Sequence, residues 1–196
     1  MKPLPIICID PGHNNSGADA GAEGNSLREQ DLTLDIALHL KTLLEYNGFT
    51  VILTREGDVV HGPHQTEKQS LQARCNIANK AGADLFLSIH INAGGGTGTE
   101  IYVLPGGQAE IMATVLLPYL SQEGSWPNRG VKTNRRFYVL VNTDMPAVLT
   151  ENGFIDHPKD AQKLGNPIFR KNLARAHAKG ICAYYGIEFR DPEDKK

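Results

Sequence analysis

The sequence predicts an α/β domain: a single unit with a twisted, mostly parallel (mixed) sheet of about six strands, flanked by helices on both faces. Three observations carry this. Short apolar, β-branched runs alternate with stretches of helical periodicity. The helical stretches are long enough to serve as crossovers between parallel strands. The strand runs are near-continuously apolar and stop at Gly, Pro or Asn, as strands covered on both faces do.

Each element follows in order. Pro5 to Asp10 is an apolar run stopped by Pro11-Gly12 and reads as a buried first strand. Ser26 opens a helical pattern in which Leu32, Ile36, Leu40, Leu43 and Leu44 share a face, and Asn47-Gly48 supplies its stop. Phe49 to Thr54 is a short β-branched strand. Arg55 to Ser70 is polar, holds Gly57, Gly62 and Pro63, and reads as a loop before a helix over Leu71 to Ala81. Leu85 to Ile91 and Thr99 to Leu104 are strands separated by Gly94-Gly95-Gly96. Ala109 to Gln122 has helical spacing through Ile111, Val115, Leu116 and Tyr119, with Pro118 expected to kink or end it. Phe137 to Val141 and Ala147 to Thr150 read as short strands. Asn166 caps, and Pro167 opens, a last helix to Tyr185. On this reading residues 1–187 form one domain and 188–196 a charged tail expected to fray.

Composition narrows the function classes. The 196 residues are 40% hydrophobic and 21% charged, with a net charge of −2, an ordinary globular balance. No run of five like charges points to a nucleic-acid or anionic-membrane partner. No apolar run approaches the roughly 18 residues of a membrane span, and the first residues lack a signal-peptide pattern. Cys8, Cys75 and Cys182 are odd in number, far apart and set in apolar stretches. They read as reduced core residues, not as disulfides or thiolate metal ligands. A monomer is the default expectation.

In open α/β sheets, sites form beyond the carboxyl ends of strands. Four polar residues stand where elements begin or end. His13 follows the first strand in Asp10-Pro11-Gly12-His13 and is a site candidate or a surface turn residue. Glu29 lies in a first helical turn, where Ser26-Leu27-Arg28-Glu29 also fits a capping box. His90 shares a strand face with Phe86, Ser88 and Asn92, opposite Leu85, Leu87, Ile89 and Ile91; it is a core histidine or a ligand. Glu151 ends the apolar run Ala147 to Thr150, where an unpaired buried acid is costly and a solvated one is not. Taken together, two imidazoles and a carboxylate are the ligand set of a hydrolytic zinc site with an open position, and a second carboxylate is the general base it needs. The helical His-Glu-x-x-His pattern is absent, so the ligands come from separate elements.

These residues resemble a known family, the zinc-dependent N-acetylmuramoyl-L-alanine amidases of bacterial autolysins and phage endolysins. The likeness runs from about Ile6 to Gly186. Its pieces are Asp10-Pro11-Gly12-His13, Gly17 to Gly24, Glu29-Gln30-Asp31, Thr54-Arg55 with Asp58, Leu71-x-x-Arg74, Ala78-Asn79, Ala83-Asp84 through Asn92, and Met145-Pro146-Ala147 through Phe154. The resemblance implies one catalytic Zn2+ held by His13, Glu29 and His90, with Glu151 as the catalytic carboxylate. It implies a peptidoglycan substrate, cut between N-acetylmuramic acid and L-alanine, and action on the bacterial cell wall. Ser88, Asn92 and Arg74 are expected to orient ligands or substrate. Asn14, Asn15, Gln30 and Val141 depart from the family pattern, and Arg135 or Arg136 is expected to take over a charge contact there. His61 and His64 read as solvated loop residues, and Trp126 as core. Two other readings stay open here: another zinc hydrolase, such as a carboxypeptidase-like peptidase, and a non-catalytic wall-binding module.

Overall fold

The computed structural model describes residues 4–15, 18–58 and 66–195. The elements run β1 (Ile6–Pro11), β2 (Glu23–Gly24), β3 (Leu27–Arg28), α1 (Glu29–Tyr46), β4 (Thr50–Leu53), α2 (Glu67–Ala81) and β5 (Leu85–Asn92). They continue with β6 (Thr99–Val103), α3 (Gly107–Gly124), β7 (Asn128–Thr133), α4 (Tyr138–Val141), β8 (Ala147–Phe154), α5 (Pro158–Leu164) and α6 (Pro167–Tyr184). Six strands form one sheet in the order β4-β1-β5-β8-β6-β7, parallel except where β6 meets β8. The fold class is therefore the predicted one: a single α/β domain with a mostly parallel mixed sheet between helices.

The two faces are covered unequally. Ile7, Ile9, Leu85, Leu87, Ile89 and Val148 point into the larger core beneath α1, α3 and α6. Cys8, Phe86 and Leu149 point to a smaller core beneath α2 and α4. Full burial of a Leu, Ile or Phe contributes about 1.5–3 kcal/mol; the larger core contains many such residues, the smaller Phe86, Leu140 and Leu149. The thinner layer leaves the carboxyl-end edge of its face open. All three cysteines are free and buried, as expected. No helix among the described residues is long and apolar enough to cross a membrane.

Several local expectations give way. Residues Phe137 to Val141 are not a strand; Tyr138–Val141 is a helical turn, and the sixth strand is β7. The Val141 and Asn142 N–H groups donate back to the Phe137 and Tyr138 carbonyls, four residues earlier, as in a helix. β7 is polar, with no fully buried residue, because it is a sheet edge. Ser26 does not cap α1, which starts at Glu29 with no side-chain cap. Ser26 instead takes φ 61° in the turn between β2 and β3. The capping box lies on α2, where Thr66 and Gln69 bond reciprocally and carry the helix back to Glu67. α3 runs through Pro118, which sits on the exposed face, where the carbonyl it strands is open to solvent. Its buried face is Met112, Ala113, Leu116, Leu117 and Leu120, and Ile111 faces solvent. The tail beyond Ile187 does not fray. Ile187 and Phe189 pack on the larger core, and the Asn47 amide donates to the Arg190 carbonyl and accepts from its N–H. His61 and His64 lie outside the described residues.

Candidate active site

β1, β5 and β8 lie side by side and parallel, so their carboxyl ends open on one edge of the sheet. The chain leaves β1 through Gly12, whose N–H donates to the Ile89 carbonyl at 2.9 Å. A Cβ on Gly12 would stand 2.5 Å from the His90 ring, so only glycine fits. His13 follows in the left-handed region, φ 62°, at a cost of about 1–2 kcal/mol for a residue with a side chain.

Two buried guanidinium groups hold this turn. Arg74 on α2 donates to Asp10 Oδ1 and to the Pro11 and His13 carbonyls, each at 2.7 Å, and reaches Asp19 Oδ2 at 3.1 Å. Arg55 donates to the Pro11 carbonyl at 3.0 Å, to Gly12 at 3.1 Å and to Gln30 at 2.7 Å. Thr54 and Ser88 complete the shell of Asp10 at 2.6 and 2.7 Å. Burial works against the charge of Asp10, but Arg74 and these hydrogen bonds hold its carboxyl below the usual range. Asp19, buried and bonded to its neighbours in the same way, is held down to about 2.

On this scaffold His13, Glu29 and His90 converge, with one ligand atom from each within 4.8 Å of the others. Glu29, in the first turn of α1, lies 3.3 Å from His13 Nε2 through Oε2 and 3.0 Å from His90 Nδ1 through Oε1. It also accepts from the N–H groups of Ala22 and Ile91 at 3.0 and 2.9 Å. Burial opposes its charge, but the hydrogen bonds with the two histidines hold Glu29 well below the ordinary carboxylate range. The rings of His13 and His90 stand edge to face, 4.8 Å apart. Asp19 Oδ1 lies 3.3 Å from His13 Nδ1, on the ring's far side. Burial disfavours charge on His13, yet Asp19 and Glu29 raise its pKa to about 10. Two imidazole nitrogens and one carboxylate oxygen at this spacing, with a carboxylate behind one imidazole, suit a zinc ion with an open position.

Glu151 projects from β8 opposite His90 in the strand register. It lines the same cavity of about 360 Å³, with Asn92, Leu71, Arg136, Phe137 and Tyr138 forming further walls. Its Oε2 is buried with no hydrogen-bond partner. Burial, and then the charges of Glu29 and Glu100, push its pKa well above the usual value. A carboxyl in that state takes up a proton readily.

The structure brings all four principal candidates to one cavity and separates the three secondary ones. Asn92 lines the cavity and donates to Glu100 at 3.2 Å. Arg74 forms part of the wall and braces the His13 turn. Ser88 does not bond His90; it is fully buried and bonds Asp10, because it lies two residues further from the carboxyl end of β5. Asn14, a departure from the family pattern, donates to Ser70 at 2.9 Å and accepts from Arg74 at 3.0 Å. Trp126 is core, as expected. Sequence reasoning passed over Asp19 and Arg55. The signal for Asp19 was weak: a lone carboxylate in a glycine-rich loop, whose partners stand far along the chain.

The family model for N-acetylmuramoyl-L-alanine amidases matches residues 7–183. A sporulation-specific N-acetylmuramoyl-L-alanine amidase of Bacillus subtilis (strain 168) is 46% identical over 93% of this chain and 69% of its own length. The N-acetylmuramoyl-L-alanine amidase CwlM of Bacillus licheniformis is 44% identical over 92% of this chain and 69% of its own. Among solved structures, the CwlD amidase of Clostridioides difficile, in complex with the GerS lipoprotein, superposes with a TM-score of 0.86. It is 29% identical, covering 94% of this chain and all of that one.

Proposed function

The chain belongs to the N-acetylmuramoyl-L-alanine amidase family and is a peptidoglycan-hydrolysing amidase of cell-wall lysis or remodelling, and we propose that it works with one zinc ion held by His13, Glu29 and His90 and with Glu151 as its general base and acid. The observation that supports this most is the pairing in one cavity of a three-ligand cluster with a carboxyl of raised proton affinity. When bound, zinc supplies Lewis acidity toward the scissile carbonyl and the attacking water.

The rest is done by the chain. The cavity admits the amide between the lactyl group of N-acetylmuramic acid and L-alanine. Glu151 Oε2, free of other partners, takes the proton of the attacking water and returns it to the leaving amine. Asp19 orients His13 from behind, and Arg74 and Arg55 fix the turn that carries it. Residues 1–187 are the catalytic unit and 188–196 a charged tail, of which Phe189 and Arg190 dock on it. The protein acts on the cell wall.

Digestion of purified peptidoglycan, followed by mass spectrometry, tests this. Free lactyl ends on muramic acid and new L-alanine amino termini are expected, with about one zinc per chain by elemental analysis. New reducing sugar ends without these products would overturn the amidase reading. Cleavage of free stem peptides lacking muramic acid would favour a carboxypeptidase-like enzyme.

A further inference from the structure

The pairing of β5 with β8 breaks its register at the site. His90 pairs with Glu151, but the next pair is Asn92 with Phe154, so β8 carries one extra residue there. This is a β-bulge over Asn152 and Gly153, with Gly153 at φ 74°. Bulges next to active sites re-aim side chains. The backbone carbonyl of His90 lies beside this one.

Asn152 covers it. Its side chain is fully buried, on the face of β8 opposite Glu151. Its Nδ2 donates to the His90 carbonyl at 2.9 Å, and to Thr150 Oγ1 at 3.0 Å. Thr150 Oγ1 lies 3.2 Å from His177 Nε2, and His177 Nδ1 lies 2.8 Å from the Leu173 carbonyl. A carbonyl only accepts, so Nδ1 carries the ring proton and Nε2 is the acceptor. With the Thr150 hydroxyl given to His177 Nε2, nearer than the Ser88 carbonyl at 3.4 Å, the chain runs one way: Asn152 donates to Thr150, Thr150 to His177, and His177 to Leu173. Burial keeps His177 neutral, with its pKa lowered to about 4.

We infer that Asn152 is a positioning residue for the metal centre, bonding the His90 carbonyl beside the bulge and fixing His90 against Glu151, with Thr150 and His177 on α6 locking the orientation of its amide. The inference rests on the reading of His90 as a zinc ligand. Asn152 touches neither metal nor substrate; it acts through the His90 backbone.

The test is zinc affinity, measured by competition with a chromogenic chelator, together with kcat and KM on peptidoglycan fragments. Asn152→Asp keeps the shape and removes the donor. It is expected to weaken zinc binding about tenfold to a hundredfold and to lower kcat with KM held within about twofold. Thr150→Val should weaken zinc in the same direction, and Thr150→Ser, which keeps the hydroxyl, should restore it. Should Asn152→Asp fail to fold, the Thr150 pair decides alone. Wild-type zinc affinity in Thr150→Val, or equal loss in Thr150→Val and Thr150→Ser, overturns the inference and leaves the metal centre standing. A wild-type protein that binds no zinc overturns both.

Discussion

Glu29 and Glu151 face the same cavity from opposite sides, one at the start of α1 and the other on β8. Glu29 is wrapped in donors: two backbone N–H groups and two imidazoles. Glu151 has a buried oxygen with no partner and two carboxylates acting on it through space. The same side chain is thus held as a permanent anion in one place and left ready to exchange a proton in the other. What separates them is the density of fixed donors, since burial by itself pushes both toward the neutral form. The lesson is that a carboxylate's role is written in its neighbours.

The sharpest way to break this contrast is to remove each charge without changing shape. Glu151→Gln should retain zinc and lose about 10²- to 10⁴-fold in turnover, the usual worth of a general base. Glu29→Gln should lose both zinc and activity. Elemental analysis beside a hydrolysis assay separates the two, and full activity in Glu151→Gln would remove that residue from the mechanism.

A smaller effect is expected in the scaffold behind Glu29's side of the cavity. Arg74→Met leaves Asp10 and Asp19 without their buried cation and should cost about 3–5 kcal/mol in urea unfolding. The folded pKa values of Asp10 and Asp19 lie below the usual carboxylate value, Asp19 near 2. Their contribution is complete above about pH 4 and drains away as pH falls toward 2. The wild type should therefore lose stability across that window, and Arg74→Met should lose less of it. Parallel curves for the two proteins would show that the guanidinium does not stabilise these anions.

The smallest change tested is one methyl group. Gly12→Ala drives a Cβ to 2.5 Å from the His90 ring, whereas a Cβ at Gly57 meets nothing within 4 Å. Gly12→Ala should weaken zinc binding about tenfold or more, the order seen when a ligand's support is disturbed. Gly57→Ala should match the wild type. Equal behaviour in a chelator titration would show that the ring has room to move.

The sequence carried the fold class, and it placed four candidates that the fold brings to one cavity, for physical reasons. His13, His90 and Glu151 each follow an apolar run, so strand periodicity places them at a sheet edge. Glu29 was ambiguous, because a capping carboxylate and a ligand share one sequence position. The structure removes the capping box: Ser26 is in a left-handed turn and offers nothing to cap. What stayed hidden was long-range or edge-bound. Asp19 meets Arg74 only after α2 packs, and β7 hides because an edge strand needs no apolar alternation. Helix α3 was read one residue out of phase, since its apolar residues surround much of the helix and leave the buried stripe poorly defined.

The sheet order has a consequence for when the enzyme comes alive. β1, β5 and β8 are neighbours in space, yet His13 stands near the start of the sequence and Glu151 in its last quarter. Chain closure over such separations is slow compared with local helix formation. A growing chain contains His13, Glu29 and His90 before it contains Glu151. On the proposed mechanism its unfinished states lack the base, which arrives only when β8 takes its place between β5 and β6.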